Sequence, residues 1–118
     1  RGRYMNCSNV EKITDVTDQV DYDDTIGGGH GDSKWVSCGQ DGSYNELKDK
    51  FLKYFKGVTN ESYVAKLMCE CCKKLKPTGK EKVLWSNFYK CMLSKVTKET
   101  PNTFKKLQEL IKWHEARE

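Results

Sequence analysis

No stretch of this 118-residue chain approaches the roughly 20 consecutive apolar residues that a membrane-spanning helix requires. Hydrophobic residues are scarce, at 36% against 32% charged, so a core built from them is thin for a domain of this size. Histidine occurs only as His30 and His114, which leaves little material for a histidine base or a paired zinc set. Proline occurs only at positions 77 and 101, and both read as helix boundaries. The chain has no internal repeat and no low-complexity tract. No leader segment opens it, so it reads as the mature form of one domain spanning 1–118.

Two residue types compensate for the thin core. The 13 aromatic residues argue against disorder. The six cysteines, Cys7, Cys38, Cys69, Cys71, Cys72 and Cys91, suggest a disulfide framework and hence an oxidising, extracellular compartment. The sequons Asn6-Cys7-Ser8 and Asn60-Glu61-Ser62 are glycosylation candidates that fit the same compartment.

Charge divides the chain. Residues 1–62 carry 8 basic and 11 acidic side chains, and residues 63–118 carry 13 basic and 6 acidic. The halves therefore have net charges of −3 and +7. The acidic part is concentrated between Glu11 and Asp32. This pattern reads either as two solvated surfaces or as a basic face for a polyanion or acidic protein.

Residues 1–42 show no sustained period and hold Gly27-Gly28-Gly29, Gly31, Gly39 and Gly42. They predict an irregular acidic, glycine-rich arm, with one short strand around Lys34-Trp35-Val36-Ser37. Residues 43–118 predict an all-α body of about four short helices, near 44–57, 60–75, 79–96 and 101–116. Ser43-Tyr44-Asn45-Glu46 is a capping box for the first helix, whose face is Leu47, Phe51, Tyr54, Phe55 and Val58, and Gly57 ends it. The second helix begins near Thr59 or Asn60 and buries Val64, Leu67, Met68, Cys71 and Leu75. Pro77 and Gly79 stop it. Thr78-Gly79-Lys80-Glu81 forms a second capping box, opening a helix with Leu84, Phe88, Cys91 and Met92 on one face and Trp85 and Tyr89 beside them. Thr100-Pro101 starts the fourth helix, with Phe104, Leu107, Ile111 and His114 in line and Leu110 alongside.

Cys69-Glu70-Cys71-Cys72 is the densest feature. On a helix Cys69 and Cys72 are neighbours three positions apart, and Cys71 points elsewhere. A bond between adjacent Cys71 and Cys72 needs strained geometry. The three therefore seek Cys7, Cys38 and Cys91. An antiparallel turn near Pro77–Lys80 places Cys69 opposite Cys91, leaving Cys71 and Cys72 for Cys7 and Cys38 in either order. Rotation of the helix would bring Cys72 to Cys91 instead. Zinc is disfavoured, because Cys91 has no second ligand nearby and neither histidine is paired.

No motif supports catalysis or a cofactor. His30 sits in a glycine run, and His114 lies near a helix C-terminus, where its charged form suits the dipole. Phospholipase A2 enzymes follow adjacent cysteines with a His-Asp dyad, whereas Cys71-Cys72 precedes Lys73-Lys74-Leu75-Lys76. The acidic segment from Asp21 places Ile26 and Asp32 where a calcium-binding EF-hand loop needs Gly and Glu. The glycine run lacks the Lys-Ser/Thr ending of a phosphate-binding loop. Lys73, Lys74, Lys76, Lys80 and Lys82 surround one interhelical turn and are the candidate partner-binding residues. No nucleic-acid recognition motif is visible.

Insect odorant-binding proteins share the short helical six-cysteine format, with a C-x₃-C pair and a later C-x₈-C pair. Cys69-x-Cys71-Cys72 and the lone Cys91 depart from that pattern. In its six-cysteine helical format and lysine-rich body, the chain resembles small salivary proteins of blood-feeding insects such as sand flies. That resemblance implies an antagonist of a host plasma or immune protein, acting on complement or coagulation; with no catalytic motif, the chain reads as a secreted, non-enzymatic monomer that binds an extracellular host protein or polyanion. A carrier of a small hydrophobic ligand is the first alternative, and a secreted enzyme with an unrecognised site is the second.

Overall fold

A computed structural model describes residues 6–12, 15–16, 35–36, 38, 53–55, 57, 60–78, 81–96 and 100–117. The fold is all-α. Among the described residues, the elements with described bounds are one 3₁₀ turn, Cys7–Asn9, and the α-helices α1 (Glu61–Leu75), α2 (Trp85–Ser94) and α3 (Pro101–Glu115); residues 15–16 and 53–55 are also helical. The expected first helix, 44–57, falls mainly outside the described residues, as do its Ser43–Glu46 capping box and the acidic segment from Asp21 to Asp32. Lys53–Phe55 are helical, and Gly57 adopts φ +76°, a backbone state that favours glycine.

Helix α1 starts where its sequence provides a cap. Asn60 Oδ1 accepts the Tyr63 N–H at 2.8 Å, satisfying one of the free donors of the first turn. Glu61 in the first turn and Lys73 and Lys74 in the last complement the helix dipole. Helix α3 opens on Pro101, whose missing N–H costs nothing at that position. Thr100 is its N-cap by position, but its side chain makes no cap hydrogen bond. The Thr100 hydroxyl lies 3.1 Å from the Tyr63 hydroxyl instead, tying the start of α3 to α1.

The expected third helix, 79–96, is shorter. The Glu81 carboxylate does reach back, accepting the Thr78 N–H at 3.3 Å and the Thr78 hydroxyl at 2.7 Å. Yet the helix begins only at Trp85. The intervening residues serve the N-terminal arm: Val36 N–H donates to Val83 O at 2.9 Å, and Trp35 and Leu84 form an isolated antiparallel bridge. Extended backbone at 83–84 is required for that pairing and excludes helix there. Of the strand expected around 34–37, the described residues are Trp35 and Val36, and Trp35 forms this bridge.

The core is continuous across these elements. Val64, Met68, Phe88, Tyr89, Met92 and Leu107 are at most 1% exposed, and Val10, Val16 and Val36 from the arm are buried with them. Helices α2 and α3 share the most extensive packing. The predicted stripe of α3 is rotated, however. Phe104 is 42% exposed and Thr103 is 1% exposed, because the buried face is centred on Thr103, Leu107 and Leu110 rather than on Phe104. At the far end of α3, His114 stacks on Trp85 with centroids 6.2 Å apart and packs on Tyr89 at 5.4 Å.

Burial of Tyr89 makes stability sensitive to alkali. Desolvation, with a smaller repulsion from Tyr54, holds its phenol far above the ordinary value of 10.0. A tyrosine in the unfolded chain ionises freely above that pH, while Tyr89 in the fold stays neutral. The stabilisation is therefore complete below about pH 10 and is lost as pH rises beyond it. Tyr89→Phe should remove up to about 1.4 kcal/mol per pH unit of that slope. Urea unfolding between pH 9 and 11 measures it; identical slopes for both proteins would contradict the assignment.

Candidate functional site

The site is built around the C-terminal half of α1. Cys69 and Cys72 lie one helical step apart on the same face, and that face meets the N-terminal arm. Cys69 is bonded to Cys7 of the 3₁₀ turn, with Cα atoms 5.5 Å apart. Cys72 is bonded to Cys38, with Cα atoms 6.2 Å apart. The expected Cys69–Cys91 pairing is thus replaced by Cys7–Cys69. Helix rotation decides this: Cys69 and Cys72 both point at the arm, while Cys71 lies on the opposite, apolar stripe and meets Cys91 of α2. Of the expected arm linkages, Cys38–Cys72 is present and Cys7 goes to Cys69 instead of Cys71.

Lys76 continues the Cys69–Cys72 face by one more turn. It is 0% exposed, and its ammonium donates to Val36 O at 2.7 Å. This corrects its expected place among partner-binding lysines: it is a structural residue, buried under the arm. Trp35, Val36 and Cys38 form a strap held at four points, by the Trp35–Leu84 bridge, the Val36–Val83 hydrogen bond, the Lys76 ammonium and the Cys38–Cys72 bond.

The remaining candidate lysines fall out differently. Lys73 and Lys74 are exposed in the last turn of α1. Lys82 is exposed, and its ammonium lies 5.9 Å from the ring centre of half-buried Trp35, at the outer range of a cation–π contact. Lys80 and His30 lie outside the described residues. His114 is enclosed by Trp85, Tyr89 and Trp113 rings. Among the described residues, no group of three or more His, Cys, Asp or Glu side chains is arranged to hold a metal ion, and no helix is long and apolar enough to cross a membrane.

The two sequons share a local geometry. Ser8 Oγ donates to Asn6 Oδ1 at 2.6 Å, and Ser62 Oγ donates to Asn60 Oδ1 at 3.0 Å. In both, the serine hydroxyl engages the oxygen of the asparagine amide. Nearby, Asp15 accepts the Glu11 and Lys12 N–H groups, each at 3.0 Å, and these bonds hold its carboxyl below the ordinary 3.8.

Trp35 and the buried role of Lys76 were not anticipated. Lys76 carried a signal, because positions 69, 72 and 76 repeat at the spacing of one helix face. Trp35 carried none beyond its place in the short extended run. No protein-family model matches this chain, and neither does any curated protein or solved structure.

Proposed function

We propose that this protein is a secreted, non-enzymatic binding protein whose basic edge engages an acidic extracellular host protein, as a salivary antagonist of complement or coagulation would. The observation that carries this reading is the division of labour among the lysines: Lys76 is spent inside the fold, while Lys73, Lys74 and Lys82 remain exposed, with Lys82 lying over Trp35. Exposed cations, one of them over an aromatic ring, suit recognition of an acidic partner. The disulfides hold that edge in place before contact, which lowers the ordering cost of binding. They also suit an oxidising medium. The packing of His114 among aromatic rings gives it a structural use and supports the non-enzymatic reading.

The test is capture of plasma proteins on the immobilised, oxidised chain, followed by complement-activation and clotting assays. The expected result is one retained protein and dose-dependent inhibition of its pathway. Lys73→Glu/Lys74→Glu/Lys82→Glu should weaken that affinity roughly 10- to 100-fold, while the reversed charges at the end of α1 cost only about 1–2 kcal/mol of stability. Binding of the wild-type chain should also weaken as salt rises. Failure to retain any plasma protein, with no effect in either assay, would defeat the proposal. Unaltered binding by the triple variant would move the interface off this edge.

A further inference from the structure

Four of the six cysteines are joined in pairs, and the other two, Cys71 and Cys91, are both buried thiols. They are neighbours: the Cys71 thiol hydrogen-bonds to the Cys91 sulfur across the α1–α2 contact. Their exposures are 0% and 8%. Two buried thiols within hydrogen-bonding reach, on helices that already pack together, are neighbours that one bond can join. Two sulfurs alone fall short of the four ligands of a structural zinc site, and no third metal-ligating side chain joins them among the described residues.

We propose that Cys71 and Cys91 form a third disulfide, which bolts α1 to α2. The bond joins the two Sγ atoms. Both S–H bonds break, and two protons and two electrons leave. The oxidant is a disulfide, either glutathione disulfide or a disulfide oxidoreductase, and it is reduced to two thiols. With this bond every cysteine of α1 is used, Cys69 and Cys72 toward the arm and Cys71 toward the helical body.

The packing also dictates when the bond forms. Burial, reinforced by the Cys91 hydrogen bond, holds the Cys71 thiol far above its ordinary 9.0, and a protonated, enclosed thiol neither attacks a disulfide nor meets one. Exchange therefore belongs to folding, before α1 and α2 close over the pair. The inference is independent of the partner-binding proposal.

The experiment begins with the reduced, denatured full-length chain, refolded in a mixture of reduced and oxidised glutathione. Thiols are then counted with Ellman's reagent in guanidinium. The expected count is zero for the wild type and one for Cys91→Ser. Two thiols in the oxidised wild type would overturn the proposal. Connectivity is read by digestion without reduction. Cleavage after Glu70 separates Cys69 from Cys71 and Cys72, and electron-transfer fragmentation then resolves that adjacent pair. The expected product links the Cys91 peptide to Cys71; a link from Cys91 to Cys69 or Cys72 would also overturn it. In Cys38→Ala/Cys72→Ala the Cys71–Cys91 link should persist. If that variant fails to fold, the fragmentation pattern of the wild type still decides the connectivity.

Discussion

Cys7→Ala/Cys69→Ala is expected to destabilise the protein by about 4 kcal/mol, the entropy restored to an unfolded chain when a loop of this size is opened. The two cysteines are separated by 62 positions, and their side chains are 7% and 0% exposed, so little solvent gain offsets the loss. Against the 5–15 kcal/mol typical of a small domain, that is a large fraction. The melting temperature should fall by roughly 15 °C. Cys38→Ala/Cys72→Ala opens a shorter loop, with a separation of 34. Because closure entropy grows with the logarithm of length, its cost should be smaller by only about half a kcal/mol. Guanidinium unfolding without reductant measures both; a change under 1 kcal/mol in each would show that the unfolded chain gains little freedom from either bond.

The second large effect belongs to Lys76. Lys76→Ala is expected to cost about 2–4 kcal/mol. The alanine deletes a side chain that is fully enclosed, at about 0.8 kcal/mol per buried methylene. It also removes the donor to Val36 O, leaving a carbonyl in a buried strap short of a partner at about 1–3 kcal/mol. Relief of the cost of burying an ammonium offsets part of this sum. Lys76→Met keeps most of the volume while removing the ammonium and its hydrogen bond, so it should cost less than alanine. Urea unfolding ranks the three, and a cost below 0.5 kcal/mol for alanine would contradict the assignment. The contrast with Lys73 and Lys74 is the informative part: changes at Lys76 should move stability, whereas charge reversal at its exposed neighbours should move binding.

Local signals were legible where one helix answers to its own residues. Asn60 and Pro101 mark the starts of α1 and α3 because capping and the proline first turn depend on only a few neighbours. The stripe Val64–Leu67–Met68–Cys71 follows from periodicity alone. Legibility failed where a distant segment imposed its own demand. Glu81 completes its reach to Thr78, but pairing of 83–84 with 35–36 delays the helix to Trp85, and nothing between 78 and 85 announces that partner. Phe104 was placed inside because a helical period locates a face only to within a residue or so, and the tertiary packing selected Thr103. The cysteine pairing turned on rotation of α1, which spacing from a turn does not specify. The lysine cluster was read as a single group by sequence proximity. Once the strap crosses α1, that group divides into a buried member and exposed ones.

The order of the bonded cysteines along the chain has a consequence for resistance to proteolysis. Cys7, Cys38, Cys69 and Cys72 are joined first to third and second to fourth, so the two closed loops overlap like links of a chain. A single peptide-bond cleavage anywhere from residue 8 to residue 71 falls within at least one of them. The products stay one covalent molecule, and a nicked arm remains fastened to the helix it covers. A protease must cut at least twice before any piece between those cysteines can diffuse away.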